Sequence, residues 1–106
     1  MQEKSSATGL NQLLKILAEN QIDFIVIGGF AGVLYGSSMV TRDLDICMLL
    51  TSPEIERLRT VLGPYNPFHR MTPQKLPFVT EPRSLIGVNN IYLETDLGTL
   101  DILSTV

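Results

Sequence analysis

The sequence predicts an α/β (α+β) domain, a mixed sheet with helices packed on it. Three observations predict it. Apolar residues recur at helical spacing near the N-terminus and again after Thr51. Short β-branched or alternating runs stand between these helices. The last stretch reads as a hairpin around Leu97-Gly98.

Each element has its own warrant. Leu10, Leu13, Leu14 and Leu17 fall at i, i+3, i+4 and i+7, one face of a helix. Thr8 is its expected N-cap, Asn20 its stop, and residues 1–8 a loose arm. Asp23-Phe24-Ile25-Val26-Ile27 is a short apolar run, read as a central strand buried on both faces and ended by Gly28-Gly29. Phe30 to Tyr35 has helical spacing, with Gly36 as its stop and Ser37 to Thr41 as a loop. Asp43 to Leu50 is a second strand that begins by alternating Asp43, Leu44, Asp45, Ile46. Thr51 or Ser52 then caps a helix, with Pro53 in its first turn and Glu54 in a capping box with Thr51. Ile55, Leu58 and Leu62 form its buried stripe, and Gly63-Pro64 ends it. Residues 64–83 hold five of the six prolines and read as a long loop, with an edge strand near Phe78-Val79. From Leu85 the chain is β-like again. Tyr92 to Asp96 and Thr99 to Leu103 form the hairpin, in which Gly98 supplies a positive φ.

Composition narrows the function classes. A chain of 106 residues is expected to be a single domain with one core. The formal net charge of −3 argues against a broad basic surface for nucleic acid. One cysteine makes neither an internal disulfide nor a thiolate metal cage. The polar N-terminus has no signal-type apolar core, and no apolar run approaches the roughly 20 residues of a bilayer span. The cytoplasm is the expected compartment, with no membrane partner.

The chemistry lies in the acids. Asp43 and Asp45 are two apart on a strand, so period 2 puts both carboxylates on one face and Leu44 and Ile46 on the other. Two like charges on one rigid face repel, and a hard divalent ion such as Mg²⁺ relieves that repulsion. An edge strand with an acidic solvent face explains an isolated pair equally. Asp101 interrupts an apolar run between Leu100 and Ile102, a local misfit with no turn to justify it. Three strand carboxylates can hold two Mg²⁺ ions in a phosphoryl-transfer site; Asp101 facing solvent on an edge strand is the plain alternative. Gly28-Gly29, between a strand and a helix, lets a phosphate approach the backbone. It is neither a P-loop nor a dinucleotide fingerprint.

Ile27-Gly28-Gly29, a spacer of 13 residues, Asp43-Leu44-Asp45-Ile46 and a later Leu100-Asp101-Ile102 together resemble the signature of the polymerase-β-like nucleotidyltransferase superfamily. The segments Gly29-Phe30-Ala31-Gly32, Tyr35-Gly36-Ser37-Ser38, Thr41-Arg42-Asp43 and Thr95–Leu103 are similar to one branch. It holds the small-molecule (antibiotic) nucleotidyltransferases and the nucleotidyltransferase toxins of toxin–antitoxin pairs. The resemblance covers roughly residues 10–106 and leaves the loop at 64–83 unmatched.

That resemblance implies transfer of a nucleoside monophosphate from an NTP, ATP foremost, to an acceptor hydroxyl, with release of pyrophosphate. Asp43 and Asp45 would hold two Mg²⁺ ions, and Asp101 would complete the ion near the acceptor and help remove its proton. Gly28 and Gly29 would meet the β- and γ-phosphates. Ser37, Ser38 or Arg42 would add phosphate contacts, although Arg42 equally fits an ion pair with a neighbouring carboxylate. The acceptor is a small molecule, a protein or RNA. Most active members of the family continue past the third acid into helices or a second domain that bind the acceptor, whereas almost nothing follows Asp101 here. The expectation is therefore a minimal or partnered domain, with a homodimer or a partner subunit as candidates, or the N-terminal part of a longer protein. The competing function is a non-catalytic nucleotide- or partner-binding module of the same fold. An aspartyl phosphatase is disfavoured, because Cys47 stands where such sites want Thr or Val.

The remaining residues carry plain expectations: His69 at the surface, Cys47 as a small core residue, Glu94 and Asp96 solvated, with Glu94 able to face the site.

Overall fold

A computed structural model describes residues 6–27, 43–85 and 87–104. They form an α+β fold with one mixed five-stranded sheet and two helices. In chain order these are α1 (Ser6–Glu19), β1 (Ile25–Ile27), β2 (Asp43–Met48), α2 (Ser52–Leu62), β3 (Phe68–His69), β4 (Asn90–Thr95) and β5 (Gly98–Ser104), with a 3₁₀ turn at Gly63–Tyr65. The strand order is β1-β2-β5-β4-β3. β2 and β5 are parallel, and every other pair is antiparallel.

Both helices pack on one face of the sheet. Leu10, Leu13 and Leu17 of α1 and Ile55, Leu58 and Leu62 of α2 are fully buried against Leu44, Ile46, Leu93, Leu100 and Ile102. The stripes are those that helical spacing predicts. α1 begins at Ser6, so Thr8 lies within the helix and not at its cap, and residues 6–8 of the expected arm are helical. The first apolar position of the stripe does not mark the start, because Ser6, Ala7, Thr8 and Gly9 continue the same helical backbone. Asn20 is the stop, but the left-handed residue is Gln21, φ 64°. The Ile22 N–H donates to the Leu17 carbonyl at 3.1 Å while the Ile22 side chain joins the core. This pairing closes the last turn of the helix. Gly9 brings α1 against the β4–β5 turn; a Cβ there would collide with the Leu97 carbonyl oxygen.

α2 starts as expected, with Thr51 at the N-cap and Pro in the first turn. The capping box does not form, because the Thr51 side chain makes no cap hydrogen bond. Glu54 instead pairs with Arg57 at 3.1 Å. The hairpin also forms as expected, with Gly98 at φ 135°. The Thr95 hydroxyl donates to the Gly98 carbonyl at 2.8 Å and accepts from the Leu97 N–H at 3.0 Å, closing the turn.

Two strand readings are corrected. β1 is an edge strand: it pairs with β2, no described strand pairs with its outer side, and Ile25 is 64% exposed. A short apolar run shows β-propensity but not how many neighbours the strand has. In the proline-rich stretch the edge strand is Phe68–His69, not Phe78-Val79. Phe78 is fully buried, a core residue delivered by a loop. Arg59 of α2 pins that loop. Its Nε donates to the Phe78 carbonyl at 2.9 Å and its Nη2 to the Pro82 carbonyl at 2.6 Å. β2 ends at Met48, before the expected Leu50. The expected helix from Phe30 to Tyr35 and the loop at 37–41 lie outside the described residues. Among the described residues no helix is long and apolar enough to cross a membrane.

Candidate functional site

The face of the sheet away from the core carries the acids. Along β2 burial alternates, with Leu44, Ile46 and Met48 buried and Asp43, Asp45 and Cys47 on the opposite side. β5 does the same, with Leu100 and Ile102 inward and Asp101 outward. The parallel register then sets Asp45 directly beside Asp101 and Asp43 beside Thr99. Neighbouring strands lie about 4.8 Å apart, so the two carboxylate-bearing residues are adjacent while their backbones are clamped by a buried layer beneath.

The register extends this pair into a row across the sheet. Ile27 of β1 stands beside Asp45, Asp45 beside Asp101, and Asp101 beside Tyr92 of β4. The Arg70 N–H donates to the Tyr92 carbonyl at 3.1 Å, which brings Arg70, just past β3, to the end of the row. Its guanidinium lies over the Tyr92 ring at 5.6 Å and reaches Asp101 with two hydrogen bonds. Nε donates to Oδ1 at 3.1 Å and Nη2 to Oδ2 at 2.6 Å. In the adjacent row Thr99 donates its hydroxyl to Glu94 at 2.9 Å. Glu94 therefore belongs to this face.

The electrostatics follow from that crowding. Asp45 holds its proton more tightly than an ordinary carboxyl. Burial is the main cause, followed by the negative charges of Asp101 and Asp43, and Arg70 opposes them. Asp101 in turn raises the already high proton affinity of Arg70, chiefly through the hydrogen-bonded pair.

The three carboxylates predicted as metal ligands, Asp43, Asp45 and Asp101, thus share one face and two adjacent strands. Their donor chemistry, carboxylate oxygen throughout, suits a hard divalent ion such as Mg²⁺. Among the described residues no three His, Cys, Asp or Glu side chains already converge as a metal cage. Instead the Asp101 oxygens face the Arg70 guanidinium. The predicted phosphate-binding residues Gly28, Gly29, Ser37, Ser38 and Arg42 lie outside the described residues.

Two further readings change, and one residue is new to the site. Cys47 is not a core residue: it is half-buried on the acid face, beside Ile25 and Leu103. Period 2 counted from Asp45 was the signal for this. Cys47 also lines a cleft of about 400 Å³ with Asp23, Phe24, Ile25, Leu49 and Glu54. His69 is half-buried rather than a plain surface histidine, with Nε2 2.8 Å from the Glu81 carbonyl and its ring edge-on to Phe78. Nothing in the sequence alone singles out Arg70. It lies in the proline-rich segment, and only the β3–β4 register reveals that it shares a row with Asp101.

In comparisons with family models, curated proteins and solved structures, nothing matches the chain.

Proposed function

We propose that this chain is a metal-dependent nucleotidyltransferase domain with the polymerase-β-like fold. It moves a nucleoside monophosphate from an NTP, ATP foremost, to an acceptor hydroxyl and releases pyrophosphate. The observation that carries this reading is the register of Asp45 beside Asp101, with Asp43 on the same face.

In this reading Asp43, Asp45 and Asp101 would hold Mg²⁺, whose chemistry there is to stabilise charge on the phosphoryl oxygens and to favour the ionised acceptor hydroxyl. The chain supplies the placement. Leu44 and Leu100 anchor both strands in the core, so the backbone positions that carry the carboxylates are set before a substrate arrives. A bond forms from the acceptor oxygen to the α-phosphorus as the bond to the pyrophosphate oxygen breaks. The hydroxyl proton would leave to Asp101, the carboxylate that the resemblance sets near the acceptor. Gly28 and Gly29, with Ser37, Ser38 or Arg42, would meet the remaining phosphates.

The test is pyrophosphate release and label transfer from α-phosphate-labelled NTPs in Mg²⁺, offered small-molecule, protein and RNA acceptors in turn. Transfer by the native chain and its loss in Asp45→Asn and Asp101→Asn is the expected result. Release that persists undiminished in both variants contradicts the assignment.

One observation favours a second reading, a non-catalytic nucleotide- or partner-binding module. The third acid is already matched by a cation of the chain itself, Arg70. Calorimetry separates the two, because a module binds Mg²⁺–NTP without ever releasing pyrophosphate.

A further inference from the structure

We propose that Arg70 is the resident counter-cation of the acid face and competes with a divalent ion for Asp101, so that Arg70 sets the affinity of the site for metal. The inference rests on the reading of Asp43, Asp45 and Asp101 as metal ligands.

The geometry is that of a built pair rather than a chance surface contact. Two guanidinium nitrogens, Nε and Nη2, form a fork against the two oxygens of one carboxylate, at 3.1 and 2.6 Å. Such bidentate pairs are the strong class of charge-assisted hydrogen bond. Asp101 is only 15% exposed and Arg70 30%, so water screens the pair less than it would an open surface bridge. Three further contacts hold Arg70 in place. Its N–H is tied to the Tyr92 carbonyl, its guanidinium lies over the Tyr92 ring, and Nη1 is 3.4 Å from the Met71 sulfur. Tyr92 is the strand neighbour of Asp101, so one residue positions both the backbone and the charge of Arg70.

Charge then couples the guanidinium to any ion bound between Asp45 and Asp101. Two cations facing one carboxylate repel, and each oxygen engaged by the fork is a poorer metal donor. A divalent ion therefore binds at the cost of the Arg70–Asp101 pair. In the metal-free protein the same pair keeps Asp101 neutralised, which limits repulsion from Asp45 and Asp43. Lysine at this position would keep the charge but lose the planar fork and the stacking on Tyr92.

The experiment is calorimetric titration of Mg²⁺ alone, without nucleotide, into the native protein, Arg70→Gln and Arg70→Lys. The expected result is binding about tenfold tighter in Arg70→Gln than in the native chain, a usual size for coupling between two sites, with Arg70→Lys between them. In parallel, the Nε–H resonance of Arg70 is followed by NMR in the native protein, which needs no variant to fold. Loss of its hydrogen-bonded shift as Mg²⁺ saturates is expected. Equal affinities in the native chain and Arg70→Gln, or an Nε–H signal unmoved at saturation, overturn the proposal and leave the metal assignment standing. Absence of Mg²⁺ binding in all three proteins overturns the proposal together with the assignment beneath it.

Discussion

Asp45 and Asp101 stand side by side on parallel strands, the one flanked by Asp43 and the other gripped by Arg70. Their backbones are fixed by Leu44, Ile46, Leu100 and Ile102, each fully buried on the opposite face. The pair is held apart from relaxation by the core, and like charges are kept together that would separate in an unfolded chain. Such a cost is expected where a site is prepared for a cation.

That cost has a pH signature. Asp45 binds its proton more tightly in the fold than at its ordinary value of 3.8. The folded state therefore holds more protons than the unfolded one just above that pH. Stability from Asp45 is complete below the ordinary value and is lost as pH rises through the raised folded value. Asp45→Asn removes the penalty. In chelator-treated protein it should melt at a higher temperature than the native chain at neutral pH, and the difference should vanish below pH 3.8. Melting curves across pH check both the sign and the convergence.

The acid face was legible because its logic is local. Alternation around Asp43, Asp45 and Asp101 fixes which way each side chain points, and the buried faces of both helices follow from their spacing alone. Arg70, Phe78 and the edge position of β1 were not legible. Each depends on which strands become neighbours, information that lies in pairs far apart along the chain. Arg70 and Asp101 are separated by 31 positions, and the proline-rich segment between β3 and β4 hides its core residue among turn signals. Cys47 is a different case, since the alternation that placed Asp45 also placed it.

The platform beneath the site should be sensitive to volume. Leu100 is fully buried beside Asp101 in sequence, so Leu100→Ala should cost about 2–5 kcal/mol, as cavity-forming core changes do. Val79, 45% exposed, is the contrasting site, and Val79→Ala should change stability by less than about 0.5 kcal/mol. Urea denaturation of the two variants tests the difference.

Arg59 should matter through its contacts to backbone carbonyls rather than through its ion pair. Its Glu56 partner is 59% exposed and contributes little. The Phe78 and Pro82 carbonyls lose a charged donor in Arg59→Ala, at a cost of about 2–3 kcal/mol. The loop that delivers Phe78 should then be cleaved faster by protease, while Glu56→Ala leaves both stability and cleavage nearly unchanged. Denaturation and timed proteolysis together measure this.

Gly9 sets two magnitudes against each other. Alanine in a helix gains up to about 1 kcal/mol over glycine. A Cβ at this position meets the Leu97 carbonyl, a backbone atom of the hairpin turn that gives way only if α1 shifts. Overpacking of that kind costs about 1–3 kcal/mol, so Gly9→Ala should destabilise the protein despite its better helix propensity. Thermal melts of the variant give the sign directly.

In the proposed function the row from Asp45 to Asp101 receives a divalent ion. Its most direct test is a crystal structure of the native protein with Mn²⁺ and a non-hydrolysable NTP, read by anomalous scattering. The expected result is a peak between the Asp45 and Asp101 carboxylates, with the Arg70 fork drawn off Asp101. A map with no peak on this face, and the two Arg70 hydrogen bonds to Asp101 intact at saturating metal, would contradict it.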